Sequence, residues 1–426
     1  MWKLLTRLMG VSLFLVLFST IVRAESGLVG DGQMIGLNEA VARTLARNPE
    51  LVAFGYQFQA QDGRILQAGL APNPEMSFTL ENALGTGEYK GLDGAEATLS
   101  IAWILERGVR QRRLETARAG VSLLEVEADI MRLDAAAETA RLFFSCLSNQ
   151  AQMVNAGEAV RLAQETVKAV KKRVQAGKSP QAELARAQAE LARLKLNRED
   201  FEHGLLSATH RLAAQWGESE PGFKRVNGEL LSLPTTDSFE TLKTSIDRNP
   251  DIARFLSKHR VDEAELRLAE AQRKSNWRVS AGVRRLELTN DEALVANITI
   301  PLTLRNKNQG GIAEARAKLA QTDADAVAER IRVETSLFVI YQELQHSMHR
   351  AKTFRDEVIP LIEQAMTDTR NAYERGRYSF LEWRTAQEDM LAARNALVDA
   401  SVDAHLNVIE IERLTGVRVA QPATSP

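Results

Sequence analysis

The apolar positions along this chain change period several times, and each change marks an element. From Arg107 to Gln175 no proline intervenes, and apolar residues recur at steps of three and four, the spacing of a helix face. At 1.5 Å per residue, a run of roughly 70 residues reaches about 100 Å, far longer than a helix of a globular core. Its apolar positions form two series. One runs Leu114, Ala117, Val121, Leu124, Ala128, Met131, Ala135 and Leu142, broken at Glu138; the other runs Val126, Ile130, Leu133, Ala137, Ala140, Phe144, Leu147 and Ala151. Ile130 stands two residues from Ala128, about 200° around the helix, so the series lie on nearly opposite sides. Both carry the heptad signature. A helix with two opposed seams has a neighbour on each side, and repetition around a ring gives a wall one helix thick. The plainer alternative is a long bundle with an all-round core.

Four other segments alternate with period two. Met76, Phe78 and Leu80 alternate with polar partners over about 75–81, as do Leu99, Ile101 and Trp103 over about 97–105. Val279, Ala281 and Val283 do so over about 277–287, and Leu294, Ala296, Ile298, Ile300 and Leu302 over about 293–303. This pattern predicts a sheet with one apolar and one polar face. Such strands have the length to cross an outer membrane when tilted. Four strands cannot close a barrel, and open edges are not tolerated in lipid, so spanning strands must be pooled from several chains. Two chains would give eight strands and three would give twelve. The alternative is a small soluble sheet packed on its own helices.

The elements occur twice. An offset of 199 residues lays Gly177, Glu183, Ala187, Gln188 and Gly217 over Gly376, Glu382, Ala386, Gln387 and Gly416 without a gap. "RNPELVAF" at 47–54 also matches "RNPDIARF" at 248–255. Each half reads helix, strand, strand, long helix, turn, helix. The expected divisions are a signal peptide at 1–24, a first repeat at 25–217, a linker at 218–237, a second repeat at 238–417 and a tail at 418–426.

The start of the chain places Lys3 and Arg7 before an apolar run and ends it at Val22-Arg23-Ala24, the layout of a cleavable export signal. Beyond it, no stretch has the roughly 18 uncharged apolar residues of a spanning helix. Cys146 is the only cysteine, which leaves no disulfide framework and no lipid-anchor cysteine. A net charge of −2 with 26% charged residues of both signs points away from nucleic acid.

Two candidate chemistries arise and fall. Gly177-Lys178-Ser179 spells the end of a phosphate-binding loop, but Lys172 stands where the leading glycine is required and no strand precedes it. A helix-ending glycine, then Ser179 and Pro180 as cap and opener, describes a turn between helices. Glu343, His346 and His349 share a helical face and could hold a metal, though a polar helix face is the simpler reading. With no catalytic constellation and no cofactor motif, the chain reads as a passive conduit rather than an enzyme.

The tandem halves, "APNPEMSF" before the first strand, "ILERGVRQRRLETARA" after the second, and the glycine turns Gly177-Lys178-Ser179 and Gly376-Arg377-Tyr378-Ser379, each with a glutamate six residues after its glycine, resemble the TolC-type outer-membrane efflux family over nearly the whole mature chain. "PNPEMSFTLEN" and "GAEATLSIAWILERG" look most like its heavy-metal, cobalt-zinc-cadmium branch, although Trp103 and Arg107-Gly108-Val109-Arg110 depart from that branch's pattern. The resemblance implies a mainly α fold with a membrane β part. In it, four transmembrane strands per chain join a trimeric twelve-strand barrel above a long α-helical periplasmic barrel. It also implies a homotrimer in the Gram-negative outer membrane, in contact with its lipid and extending into the periplasm. The expected partners are a periplasmic membrane-fusion adaptor and a proton-driven inner-membrane pump of the RND type. Gly177, Lys178, Ser179 and Pro180, with Gly376, Arg377, Tyr378 and Ser379, become adaptor-docking turns. Glu382 and Thr385 occupy the periplasmic gate positions, and Met76, Phe78, Leu80, Leu99, Ile101, Trp103, Ile298 and Ile300 face lipid. The cargo expected is a divalent heavy-metal cation. A drug-efflux or type I secretion duct, or a soluble periplasmic coiled-coil protein, is the alternative.

Overall fold

A computed structural model of the chain describes residues 34–416; the expected signal peptide at 1–24 and tail at 418–426 lie outside the described residues. The first half opens with β1 (Met34–Gly36), α1 (Leu37–Arg47) and α2 (Pro49–Gly69), followed by strands β2 (Glu75–Glu81) and β3 (Glu96–Leu105). Then come α3 (Val109–Gln175) and α4 (Gln181–Ala214). A short strand, β4 (Arg225–Asn227), lies in the expected linker and pairs in parallel with β1. The second half repeats the order with α5 (Phe239–Ser245), α6 (Pro250–Ala271), β5 (Trp277–Leu286), β6 (Asp291–Thr299), α7 (Gln309–Thr353), α8 (Ile359–Glu374) and α9 (Phe380–Thr415).

The single uninterrupted helix expected from Arg107 is α3, 67 residues long. It starts just after Gly108, whose φ of +86° favours glycine and turns the chain out of the sheet. Its two seams find two sets of neighbours. Towards its N-terminus α3 lies against α2 and α6; towards its C-terminus it lies against α4 and α9. The largest core forms midway, where Ala137, Ala140, Phe143, Phe144 and Leu147 of α3 meet Leu212 of α4, Trp216 just after it, Val226 of β4 and Val398 of α9. The linker strand β4, the equator of the helical part, therefore marks the level at which the helices change partners.

The repeated "RNP" motif has a structural cause. Asn48 accepts hydrogen bonds from the N–H groups of Glu50 and Leu51 and so caps α2, and its amide donates to the Gln215 carbonyl at 2.8 Å. Asn249, fully buried, caps α6 through the Asp251 N–H and donates to the Leu414 carbonyl at 2.8 Å. Each asparagine thus starts one helix and ties it to the end of the last helix of its own half. Proline at the first helical position costs nothing there, because its missing N–H would have had no partner.

One strand boundary departs from the sequence expectation. β6 runs over Asp291–Thr299 rather than about 293–303, so Ile300 lies beyond the strand although it remains exposed. Pro301 follows it, and proline cannot donate to a ladder and restrains the residue before it. The apolar alternation continues through Leu302; the pairing does not.

Candidate functional site

The four long strands form one antiparallel sheet in the order β2-β3-β5-β6, with β2 and β6 as its edges. Residues paired across neighbouring strands share a face. The register places Phe78 opposite Leu99 and Leu99 opposite Val283, which in turn faces Leu294. Met76, Ile101, Ala281 and Ala296 form the next row, then Trp103, Val279 and Ile298. Seven of the eight residues expected to face lipid, Ile300 excepted, therefore stand in strands on one continuous apolar face. The sequence reading had left Val283 and Leu294 out of that set. This face has no cover within the chain: Met76 is 76% exposed and Leu294 90%.

The opposite face is polar. Ser77 bonds Ser100 across the strands at 2.9 Å, and Arg278 pairs with Glu75 at 2.7 Å. Arg284 lies between two carboxylates that oppose each other in register, 2.7 Å from Glu96 and 3.3 Å from Glu81. Such a face calls for a non-aqueous surrounding, and the two unpaired edges call for further strands to pair with.

The helices pose the same problem. In the half beyond the equator α4 lies against α3, α3 against α9, and α9 against α8. In the half nearer the strands the row is α2, α3, α6 and the first part of α7. The outer members of these rows keep apolar residues exposed: Val52, Tyr56 and Leu66 on α2, Leu196 and Leu206 on α4, Val327, Ile331 and Phe338 on α7, and Leu361 on α8. A row of helices with apolar residues at both ends is an arc of a wall.

At the far end of the arc lie the two turns. Gly177 and Gly376 adopt φ of +69° and +76°, and their N–H groups bond back to the carbonyls of Val174 and Tyr373. The neighbouring Lys178 and Arg377 N–H groups reach the Arg173 and Ala372 carbonyls, so both helices end in the same left-handed cap. Neither turn follows a strand. The two turns differ at the entry to the next helix. Pro180 has no capping side chain, whereas Ser379 and Glu382 form a complete capping box: the Ser379 hydroxyl accepts from the Glu382 N–H, and the Glu382 carboxylate accepts from the Ser379 N–H at 2.6 Å. That backbone bond, with the Ser379 hydroxyl behind it, holds the Glu382 carboxyl below its usual range. Glu382 and Thr385 are both exposed.

One residue at the tip carried no sequence signal. Arg173 of α3 donates to the Tyr373 carbonyl at the end of α8, stacks over the Tyr373 ring at 4.6 Å, and donates to the Ser179 hydroxyl at 3.2 Å. It joins the two turns over a small core of Val170, Leu184, Tyr373, Phe380 and Trp383. Among the described residues no cluster of three histidine, cysteine or acidic side chains could hold a metal, so Glu343, His346 and His349 do not form a site.

The family model for outer membrane efflux proteins matches residues 40–218 and again 241–417. The chain belongs to the outer membrane efflux protein family. The paired match follows the duplication read from the 199-residue offset. Among curated relatives, the cobalt-zinc-cadmium resistance protein CzcC of Cupriavidus metallidurans is 26% identical over 380 residues, covering 89% of this chain and 90% of its own. Among solved structures, the outer membrane protein VceC of Vibrio cholerae superposes with a TM-score of 0.71 at 17% identity, covering 89% of this chain and 96% of that one. CusC, whose structures concern transmembrane channel formation, gives 0.70 at 17% identity, over 90% and 92%. At these identities the structures bear on the fold. The fold is a tandem-duplicated efflux-duct architecture, mainly helical, with a four-strand membrane contribution.

Proposed function

We propose that this protein is the exit duct of a tripartite efflux system, a passive channel from periplasm to exterior that carries divalent heavy-metal cations. The observation that carries the duct reading is a sheet and a helical wall that both end in open edges, the sheet with an exposed apolar face. Three copies supply twelve strands and close the barrel, and the same three copies close the helical wall. The metal assignment rests on the metal-resistance relatives, which this chain matches over most of its length.

Conduction needs no chemistry from the chain. The energy comes from a proton-driven inner-membrane pump of the RND type, reached through a periplasmic adaptor. We assign docking to the turns Gly177 to Pro180 and Gly376 to Ser379, which project from the far end of the wall. A cysteine placed at Lys178 or Arg377 would cross-link to the adaptor; failure at both positions would move docking elsewhere. Glu382, ionised and exposed beside the second turn, gives a three-fold ring of negative charge at the periplasmic end. Such a ring attracts cations and repels anions. Thr385 adds no charge, so Glu382 carries that role alone.

The test is survival of a deletion strain on zinc, cadmium, cobalt, nickel, copper and two hydrophobic drugs, with the gene present or absent. Sensitivity confined to metals supports the proposal. Sensitivity confined to drugs would keep the duct and overturn the metal assignment, and no change in either would overturn the efflux role.

A further inference from the structure

The strand–helix junctions carry a surplus of positive charge. Arg107 and Arg110 follow β3, Arg273 and Lys274 precede β5, and Arg305 and Lys307 follow β6; all six are exposed. None has a carboxylate partner among the described residues. The nearby acids are already engaged: Glu106 with Arg113, Glu115 with Arg112, Glu75 with Arg278 and Glu270 with Arg316. The opposite end of the sheet is acidic, with Glu88, Asp93, Glu287 and Asp291 around the hairpin connections.

The junctions are tied to one level. Arg113 donates to the Ala68 and Leu70 carbonyls and so joins the end of α2 to the start of α3. Asn308, at the start of α7, donates to the Ala269 carbonyl of α6 at 2.8 Å. Arg107 lies over the Trp277 ring at 5.1 Å. Trp277 pairs in register with Leu105, which has the parity of Trp103 and Ile101, so this stack continues the apolar face. After β6, Leu302 and Leu304 are 77% and 78% exposed immediately before Arg305 and Lys307. Apolar side chains, an interfacial tryptophan and then free cations are the sequence of groups met on leaving a bilayer.

We propose that these junctions form a cationic collar that binds the phosphate groups of anionic phospholipids in the periplasmic leaflet. The collar sits where the apolar band ends and the helical wall begins, so the ligand's acyl chains lie on the band and its headgroup meets the cations. Around a trimer the six cations recur three times. Cations of this kind near an anionic lipid surface strengthen binding about fivefold each. The inference rests on the barrel orientation, with the apolar face outward, and is independent of what passes through the lumen.

Native mass spectrometry of the intact, detergent-purified oligomer tests it, with phosphatidylglycerol or phosphatidylcholine added at equal concentration and inorganic phosphate as competitor. The intact protein retains phosphatidylglycerol at least about tenfold better than phosphatidylcholine. The combined variant Arg107→Gln, Arg110→Gln, Arg305→Gln, Lys307→Gln, which keeps two of the six cations, loses at least about fivefold of that preference while keeping its oligomeric state. Equal retention by the unaltered protein, undiminished preference in the variant, or full displacement by inorganic phosphate would overturn the collar. Should the combined variant fail to assemble, Arg273→Gln with Lys274→Gln is the second test: a reduced preference supports the proposal and an unchanged one overturns it. A detergent-free monomer would break the barrel reading instead.

Discussion

Two arms of almost equal length descend from the sheet, and they are not built alike. The first, α3, keeps one helical ladder for 67 residues. The second covers the positions that correspond to it at the 199-residue offset, but α7 gives way at Phe354–Val358 to a π turn before α8 resumes with Pro360 in its first turn. Proline has no N–H to donate, and the wider turn accommodates the carbonyl that would otherwise clash with the ring. The corresponding stretch of α3, around Asn155 to Arg161, is regular helix. The same asymmetry reaches the tip, where only the second turn has a capping box and where the first arm supplies Arg173 to hold the second. Duplication therefore produced one continuous strut and one jointed arm clasped to it.

The comparison can be broken at several points, in decreasing order of effect. Gly217 and Gly416 are equivalent positions with φ of +81° and +67°, but a Cβ on Gly416 would lie 2.7 Å from the Arg248 carbonyl, whereas on Gly217 the nearest atom is 3.4 Å away in the Pro49 ring. Gly416→Ala is expected to cost about 3 kcal/mol and Gly217→Ala about 1 kcal/mol, read as thermal midpoints of the purified protein. Equal losses would mean that the two halves are seated alike. Arg173→Ala removes hydrogen bonds and a ring contact that join the arms, worth about 2 kcal/mol, and should raise protease cutting at both turns. Cutting at one turn alone would show that Arg173 does not bridge them.

Amide exchange resolves the joint itself. Residues 354–359 should open at least about tenfold faster than 155–160, because the π turn has poorer hydrogen-bond geometry; equal rates would remove the joint. Ser379→Ala should destabilise the start of α9 by about 1 kcal/mol, while Pro180→Ala, which loses no capping side chain, should leave α4 unchanged in the same experiment. The smallest effect concerns protonation. The folded-state pKa of Glu382 lies below its ordinary 4.5, so its contribution is complete above that value and is lost as the pH falls through the lowered one. In planar bilayers Glu382→Gln should reduce cation preference at neutral pH, and the difference from the unaltered channel should vanish in strong acid. A preference unchanged at neutral pH would take Glu382 out of the conduction path.

Much of this was legible in the residues because the periods are long. Seventy positions without proline and with two seams admit little besides a helix with neighbours on both sides, and α3 begins and ends within two residues of that reading. The four strands followed from alternation, but the end of β6 did not: Leu302 keeps the period that Pro301 stops. Pairing of β1 with β4 escaped notice because three residues carry no period. Arg173 escaped because its acceptor on Tyr373 is 200 positions away and nothing local marks it. Glu382 was visible as a carboxylate after a turn, yet its bonds to Ser379 required the backbone geometry. The π turn had a signal in Pro360 that the helical spacing around it masked.

The central claim is that one chain is an arc and that three close the duct. The most direct measurement is the mass of the particle extracted with detergent from the outer-membrane fraction and resolved by native mass spectrometry. A stable three-chain particle that needs detergent to remain in solution is the result predicted. A single chain released without detergent would contradict it, since the apolar face of the sheet and both open edges would then be exposed to water.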